Sequence, residues 1–241
     1  MNILYIVMPA YNERENIEYV IETWYPILKN KDIKSKLIIA DSGSNDNTHE
    51  ILLELQKKFP RIEILSNTGK THGEKVIALY KYAIDFQADY VFQTDSDGQT
   101  EPKDFSFFWD NKDKYDIICG NRINRGDGFL RTIIEKIVCI LLYLFFNVEI
   151  PDANAPFRFM KANVLKKYIK YIPINNAIPN VILTMLFVYN KENVFFKEIS
   201  FYQRLKGKNT INIYNIIKIG LESLKDFKKL RFKIKKNNKC I

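Results

Sequence analysis

Cysteine and histidine are scarce in this sequence of 241 residues, and their scarcity limits the chemistry it can support. The three cysteines (Cys119, Cys139 and Cys240) are odd in number and far apart, and no CxxC pair occurs. The pattern therefore indicates neither a disulfide framework nor a zinc site, and a reducing cytoplasm fits it best. The two histidines are His49 and His72.

The sequence also lacks a recognisable signal peptide and a run long enough to cross a bilayer. Asn2–Met8 is a short apolar run without a basic region before it. The most hydrophobic stretch, Ile133–Val148, is interrupted by Glu135 and Lys136. Its uninterrupted part, Ile137–Phe146, is about half of the roughly 20 residues that span a bilayer. We expect this stretch to lie in the membrane interface or in the protein core.

Excess positive charge is small in the body of the chain and concentrated at its end. The net charge is +9, but the stretch from Lys225 to Lys239 holds eight Lys/Arg and one Asp, which gives it about +7. A nearly neutral body argues against a nucleic-acid groove. The basic tail, interleaved with Phe227 and Leu230, could lie on anionic lipid or be a solvated terminus. A peripheral position at the cytoplasmic face of a membrane is the expectation.

Short β-rich runs alternate with amphipathic segments of helical length, which is typical of an α/β fold with a mostly parallel sheet flanked by helices. Five strands are predicted in the first half: Asn2–Met8, Lys36–Asp41, Arg61–Ser66, Asp89–Thr94 and Tyr115–Cys119. The helices predicted between them are Arg14–Leu28, Asp46–Phe59 (with Asp46 or Thr48 as N-cap), Gly73–Phe86 and Pro102–Asp110. Further on, the pattern predicts helix Leu130–Phe146, strand Phe157–Met160, helix Ile178–Tyr189, strand Val194–Tyr202 and amphipathic helix Ile211–Leu230. We expect one domain over residues 1–210 and an appended helix and basic tail over 211–241.

Polar loops follow the first four predicted strands, and parallel strands place such loops at one edge of the sheet, where ligands bind. They are Pro9–Glu13, Asp41–Asp46, Asn67–Lys70 and Asp95–Gln99. In the last loop, Asp95-x-Asp97 offers two carboxylates and Gln99 an amide oxygen, a ligand set that suits Mg²⁺ completed by substrate phosphates. An Asx-turn that caps the next helix is the alternative for these aspartates.

Several short motifs recur in a fixed order and carry a family resemblance. They are Val7–Glu13, Ala40–Thr48, Asp95–Gln99, Gly120–Arg122, Asp152 with Phe157–Phe159, and Phe201–Gly207. Together they resemble family 2 glycosyltransferases with a GT-A fold, and within that family the dolichol-phosphate mannose synthase-like, polyprenyl-phosphate glycosyltransferase branch. The resemblance covers Asn2 to about Asn209.

This resemblance implies a donor site and a metal site. The implied nucleoside-binding residues are Pro9, Tyr11, Glu13 and Asp41, and Lys70 and Ser96 in the neighbouring loops are assigned to the same nucleotide-sugar site. Asp95, Asp97 and Gln99 are expected to meet Mg²⁺ or Mn²⁺ and the diphosphate, with Asp97 catalytic. The reaction implied is transfer of a hexose from a GDP- or UDP-sugar with inversion.

For the acceptor, Arg122, Arg131 and Arg204 match positions that bind a lipid phosphate in the branch, and Arg122 is also assigned a catalytic role. Arginine suits this role because its planar fork binds phosphate bidentately. Many relatives carry C-terminal transmembrane helices that this sequence lacks, which leaves room for a membrane-anchoring protein partner. The chain also departs from the family pattern at Ser42, where a second Asp is usual.

Three other functions stay open. A hydroxyl of a glycan or lipid-linked oligosaccharide could be the acceptor, and Asp152 is then the candidate catalytic base. A sugar nucleotidyltransferase would need a glycine-rich, basic loop after the first strand, and Pro9–Glu13 has neither glycine nor lysine. The third is a non-catalytic module that binds nucleotide sugars.

Overall fold

In a computed structural model of the chain, the described residues are 2–123, 125–126, 128–204, 206 and 224–232. Their strands form one seven-stranded sheet in the order β3-β2-β1-β4-β6-β5-β7. The strands are β1 Leu4–Ala10, β2 Lys36–Asp41, β3 Ile62–Leu65, β4 Tyr90–Gln93, β5 Ile117–Ile123, β6 Arg158–Lys161 and β7 Val194–Ser200. Only β6 runs antiparallel to both of its neighbours, β4 and β5, so the described sheet is mostly parallel, as predicted.

Helices cover both faces of this sheet. Their bounds are α1 Ile17–Trp24, α2 Thr48–Lys58, α3 His72–Asp85, α4 Phe105–Asp110, α5 Phe129–Phe146, α6 Ala162–Ile169 and α7 Pro179–Tyr189, with 3₁₀ turns at Tyr25–Asn30 and Pro102–Asp104. Helices α1, α2 and α4 pack on one face, and α3, α5, α6 and α7 pack on the other.

Strand β1 shows why both faces need a cover. Its seven residues are all buried, and alternate side chains enter opposite cores: Leu4 and Ile6 pack with α1 and α2, whereas Tyr5 and Val7 pack with α3. Period-two alternation in a strand produces this division. Burying one aliphatic side chain contributes about 1.5–3 kcal/mol, so the central strand anchors both layers.

The predicted elements are present, with shifted ends and two local differences. The helix predicted from Arg14 begins at Ile17 and becomes a 3₁₀ turn after Trp24, where Pro26 lies in the first turn of the new segment. Neither Asp46 nor Thr48 is the N-cap of α2, which is Asn47 in the left-handed conformation. Asp46 nevertheless accepts a hydrogen bond from the Thr48 amide at 3.2 Å. Helix α6 was not predicted.

The C-terminal prediction is tested only in part. Of the predicted helix Ile211–Leu230, residues 211–223 lie outside the described residues, as does the proposed domain boundary at 210. Residues 224–232 are helical, and the buried Phe227 ring packs 6.2 Å from Phe145 and 6.0 Å from Phe146 at the end of α5. Within the described ranges, no helix is long and apolar enough to cross a membrane.

Candidate active site

One edge of the sheet gathers the polar loops. The parallel strands β1, β2, β3 and β4 end there, at Ala10, Asp41, Leu65 and Gln93. The antiparallel β6 begins at the same edge, because Arg158 pairs with Gln93. Strands β5 and β7 also end there, so that Arg122 and the segment after Ser200 join the group.

The loops after β1 and β2 are bonded to each other. Asn12 adopts φ 55°, a left-handed conformation that Asn tolerates better than most residues. Its amide donates to Ser44 Oγ at 3.0 Å, and its side-chain oxygen accepts from the Asn45 amide at 2.9 Å. The two loops therefore present Tyr11 and Asp41 as one unit.

Tyr11 and Asp41, two of the residues predicted to bind the nucleoside, differ in exposure. The Tyr11 ring is 40% exposed and has surface left for stacking, whereas Asp41 is 3% exposed. The Asp41 carboxylate is oriented by Ser44 Oγ, which donates to Oδ1 at 2.5 Å, and by His49 Nδ1, 3.1 Å from Oδ2. A carboxylate oxygen has two acceptor positions, so Asp41 retains capacity for the N–H groups of a base.

The structure places the Glu13 carboxylate differently from the sequence prediction. Glu13 is buried, and its Oε2 accepts hydrogen bonds from Asn16 Nδ2 at 2.9 Å and from Arg204 Nη2 at 2.6 Å. Burial raises the pKa of Glu13 to about 7, an effect that Asn16 and Arg204 oppose and nearby Asp97 reinforces. In this structure the Glu13 carboxylate contacts an arginine beside the aspartate pair, and its contact with the nucleoside stays a prediction.

Asp95 and Asp97 lie half-buried at the end of β4. Burial raises the pKa of each to about 6; for Asp97 the neighbouring Asp95 charge adds to the effect, and for Asp95 three arginines oppose it. Asp95 Oδ1 is buried without a hydrogen-bond partner, an arrangement that a cation would relieve. Among the described residues, no group of three or more His, Cys, Asp and Glu side chains could hold a metal ion. Two carboxylates nevertheless suffice for Mg²⁺ when substrate phosphates supply further ligands.

Other residues of the same loop hold it in place. Asp97 Oδ1 accepts from the Gln99 amide at 3.1 Å, so an Asx-turn forms within the loop. It does not cap the next helical segment, Pro102–Asp104, whose N-cap residue is Glu101. Gln99 Nε2 donates to the Tyr202 carbonyl at 2.8 Å, and the Tyr202 amide donates to the Gln99 carbonyl at 2.9 Å. Ser96 is buried and donates to the Pro9 carbonyl at 2.8 Å. Ser96 and Pro9 thus join the ends of β4 and β1, and in this structure the Ser96 hydroxyl is not directed at a donor.

Residues 201–204 lie along the edge of the sheet and bring Arg204 to the aspartates. Besides the Gln99 contacts, the Lys206 carbonyl accepts from Asn16 Nδ2 at 3.1 Å and from Arg204 Nε at 2.8 Å. Arg204 is held on one side by Glu13 and is close enough to lower the pKa of both Asp95 and Asp97. This predicted phosphate-binding arginine therefore belongs to the site.

Arg122 belongs to a buried ion-pair network. Its Nε donates to Asp152 Oδ2 at 2.7 Å, and its Nη2 donates to Asp152 Oδ1 at 2.9 Å and to Glu135 Oε2 at 3.4 Å. Its guanidinium also lies 5.2 Å from the Phe201 ring centre. Hydrogen bonding to Arg122 holds the pKa of Asp152 below its usual value, against the effect of burial. The two predicted catalytic residues thus bind each other. This pairing disfavours bidentate binding of a phosphate by Arg122, and it disfavours proton abstraction by Asp152.

The remaining predicted residues lie near the site. Arg131 is in the first turn of α5, half-buried, four residues before Glu135 and therefore on the same side of the helix. Lys70 is exposed, and its stem lies beside the turn after Asp41: a Cβ placed on Gly43 would be 3.7 Å from Lys70 Cγ.

Two buried cations were missed by the sequence reasoning. Lys75 in the first turn of α3 is 1% exposed and donates to the Ala10 carbonyl at 2.6 Å. Arg158 is fully buried, donates to the Ala155 carbonyl at 2.6 Å and to Thr184 Oγ1 at 3.2 Å, and is one of the arginines that lower the pKa of Asp95. The sequence did contain a signal for Lys75, because this lysine stands at a position of the predicted helix where the helical period predicts an apolar residue.

Comparisons with known proteins agree with this architecture. The family model described as "Glycosyl transferase family 2" matches residues 5–169. An uncharacterized glycosyltransferase from Synechocystis sp. is 25% identical over 96% of this chain and 71% of its own length. An undecaprenyl-phosphate 4-deoxy-4-formamido-L-arabinose transferase from Pectobacterium atrosepticum is 23% identical over 72% of this chain, and the match spans about half (53%) of that relative's length. A UDP-N-acetylglucosamine–dolichyl-phosphate N-acetylglucosaminyltransferase from Methanococcus voltae is 26% identical over 68% of this chain and 71% of its own.

Among solved structures, glucosyl-3-phosphoglycerate synthase from Mycobacterium tuberculosis has the same fold. Its complex with Mn²⁺ and UDP-glucose superposes with a TM-score of 0.67 at 15% identity, over 92% of this chain and 77% of that one. Its complex with Mn²⁺, UDP and glucosyl-3-phosphoglycerate gives a TM-score of 0.64 at 15% identity, over 86% and 73%.

Proposed function

The chain belongs to glycosyl transferase family 2, is a glycosyltransferase of GT-A fold, and, we propose, moves a hexose from a UDP- or GDP-sugar to a polyprenyl phosphate at a membrane surface. In this reaction an acceptor phosphate oxygen forms a bond to the anomeric carbon. The bond from that carbon to the donor diphosphate breaks with inversion, and the nucleoside diphosphate leaves. Relatives whose names state a polyprenyl-phosphate acceptor support this choice.

The donor is bound by the unit formed from the first two loops. Tyr11 supplies an exposed ring for stacking against the base, and buried Asp41 accepts from its N–H groups. Lys70, beside the Asp41 turn, adds positive charge at the rim, where it favours a diphosphate. Because Ser44 and His49 fix Asp41 before the donor arrives, little ordering is left to occur on binding.

Asp95 and Asp97 fit a divalent cation. A bound cation would give the unpartnered Asp95 oxygen a partner. It would also stabilise the charged form of both carboxyls, whose pKa burial raises. Mg²⁺ or Mn²⁺ there would neutralise charge on the leaving diphosphate. The protein's own part is to hold the two carboxylates through the Gln99 and Ser96 contacts and to keep Arg204 next to them. The Mn²⁺ complexes of the fold neighbour support this choice of ion.

The choice of acceptor rests on one observation: Asp152 is held by Arg122 through both of its carboxylate oxygens. A hydroxyl acceptor needs a general base, and Asp152 was the candidate. A carboxylate paired in this way, with a lowered pKa, is a weak base. A phosphate acceptor is already anionic and needs none. Arg204 lies beside the aspartate pair and suits the binding of that phosphate, and Arg131 lies at the edge of the same region.

A membrane surface as partner is supported by α5 and by helix 224–232. Exposed apolar side chains follow one face of α5 at spacings of four, four, three and four residues: Phe129, Ile133, Ile137, Ile140 and Leu144. The helix 224–232, packed against the end of α5, exposes four basic residues: Lys225, Lys228, Lys229 and Arg231. An apolar face bordered by cations suits an interface with anionic lipid.

The proposal is tested by transfer in detergent micelles. The full chain is incubated with Mn²⁺ and either UDP- or GDP-hexoses, with undecaprenyl or dolichyl phosphate as acceptor, and the lipid product is followed by mass spectrometry. We expect a polyprenyl-phosphate hexose with one of the two donor bases, and none with the matching polyprenol, which lacks the phosphate.

Two variants sharpen the test. Arg204→Ala should raise the acceptor KM much more than the donor KM. Arg14→Ala, at an exposed position just before α1, should match wild type. Transfer to an oligosaccharide hydroxyl and none to polyprenyl phosphate would contradict the proposed acceptor.

A further inference from the structure

Lys75 occupies a position that is unfavourable for a lysine on two counts. It is 1% exposed, so its ammonium is removed from water. It also lies in the first turn of α3, at the positive end of the helix dipole. Burial accordingly lowers the pKa of Lys75, and the nearby Asp41 carboxylate opposes that change. A cation persists here only if its surroundings provide acceptors.

Those acceptors all belong to the nucleoside pocket. Lys75 Nζ donates to the Ala10 carbonyl at 2.6 Å, which is the last residue of β1 and the one before Tyr11. The same atom lies 4.9 Å from the centre of the Tyr11 ring, within the range of a cation–π interaction. Asp41, at the end of β2, is the anionic group near enough to favour its charged form. One ammonium therefore contacts the end of β1 and lies near enough to Asp41, at the end of β2, for the two charges to interact.

The helix that carries Lys75 is itself fixed in place. Thr71 and Glu74 form a capping box at the start of α3. Gly73 packs so closely on the loop at 176–177 that an added Cβ would lie 2.0 Å from the Asn176 carbonyl oxygen. The backbone at Lys75 is thus fixed, and the position of its ammonium relative to the Tyr11 ring is restricted.

We propose that Lys75 is a positioning residue for the donor: its ammonium holds the Tyr11 ring in the orientation that stacks on the base of a nucleoside diphosphate. The ring is held on the side of the buried cation, and its exposed surface is presented to the ligand. The inference rests on the proposed function, since it concerns the same donor pocket. It assigns Lys75 an effect on donor binding and none on acceptor binding or on the transfer step.

The experiment compares Lys75→Met with Lys81→Met in the full chain. Methionine keeps the length of the stem and suits a buried site, and Lys81 is an exposed lysine on the same helix. Calorimetry with UDP and with GDP in the presence of Mn²⁺ gives Kd, thermal unfolding gives Tm, and transfer assays give KM for each substrate and kcat. We expect Lys75→Met to raise the Kd and the donor KM about tenfold, with kcat and acceptor KM unchanged, and Lys81→Met to match wild type.

A double variant tests whether Lys75 acts through Tyr11. Tyr11→Leu alone should weaken binding, and adding Lys75→Met to it should weaken binding no further. A Kd for Lys75→Met within twofold of wild type, or an undiminished effect in the Tyr11→Leu background, overturns the inference. If Lys75→Met does not fold, Lys75→Gln replaces it: the amide still offers an N–H donor but carries no charge to hold the Tyr11 ring, so a raised Kd supports the inference and an unchanged Kd overturns it. Failure of wild type to bind either nucleotide overturns the proposed function as well.

Discussion

Replacing Asp97 by Asn should stop sugar transfer and yet stabilise the metal-free protein. Asp95 and Asp97 are placed close together where burial disfavours their charges, and the pKa of Asp97 is raised to about 6 from a reference of 3.8. The carboxylate suits a cation, but in the absence of one it destabilises the fold. Asparagine keeps the shape of the side chain and removes the charge.

The magnitude follows from linkage. An acid whose pKa is higher in the folded than in the unfolded state binds protons better when folded, so stability falls as the pH rises between the two values. Each pKa unit corresponds to about 1.4 kcal/mol, and the shift of about two units gives at most about 3 kcal/mol. Because the two carboxyls share the effect, we expect a gain of roughly 1–2 kcal/mol for Asp97→Asn above pH 6, which disappears below about pH 4.

Urea unfolding in chelator at pH 8 and at pH 4 measures this gain. Asp85→Asn, at an exposed position of α3, should stay within about 0.5 kcal/mol of wild type at both values. Adding Mn²⁺ together with UDP or GDP at pH 8 should then stabilise wild type by mass action, and Asp97→Asn by less. A variant that is no more stable than wild type at pH 8, or equally stabilised at pH 4, would refute the reasoning.

Three further outcomes are expected from the same site and surface. Glu13→Gln removes the ion pair that holds Arg204, so the KM for the acceptor phosphate should rise severalfold while calorimetry shows an unchanged Kd for the nucleotide. Asp152→Asn leaves Arg122 buried with only part of its counter-charge, and urea unfolding should show a loss of about 3–5 kcal/mol, whereas Asp110→Asn on the surface should show none. Ile137→Glu on the exposed face of α5 should reduce co-sedimentation with anionic vesicles and leave the Kd for nucleotide unchanged; equal sedimentation would contradict the membrane surface.

The sequence predicted the order of elements well because hydrophobic period and strand-end loops are local signals. The same signals located Asp41, which ends the buried strand β2, and Asp95 and Asp97, which lie in the loop after the buried strand β4. Local patterns could not show which charged side chains form ion pairs with each other. Glu13 meets Arg204 across 191 positions, and Arg122 meets Asp152 across 30. The sequence therefore predicts a functional role for each of these residues, but it does not show how they pair with one another. Their pairing, which determines which of them are available to a substrate, required three-dimensional contacts.

Helix α6 and Lys75 were missed for different reasons. Helix α6 follows β6 with no loop between them, Lys161 to Ala162, so no turn residue separates a strand pattern from a helical one. Lys75 lies four residues before Leu79 and eight before Ala83, on the stripe of α3 that faces the core. Taken alone, a single lysine on such a stripe is more simply interpreted as the edge of the apolar face than as a buried cation.

The family match ends at residue 169, but residues beyond it, including Arg204, also line the candidate site. A fragment cut at that point would keep Asp95, Asp97 and the donor loops. It would lose β7, which leaves β5 as a bare edge strand open to aggregation, and it would lose Arg204, which leaves Glu13 as a buried carboxylate without its cation. Strand β7 and Arg204 are therefore bound into the same unit as the motifs near the start, and we expect a protein shortened to its matched region to misfold.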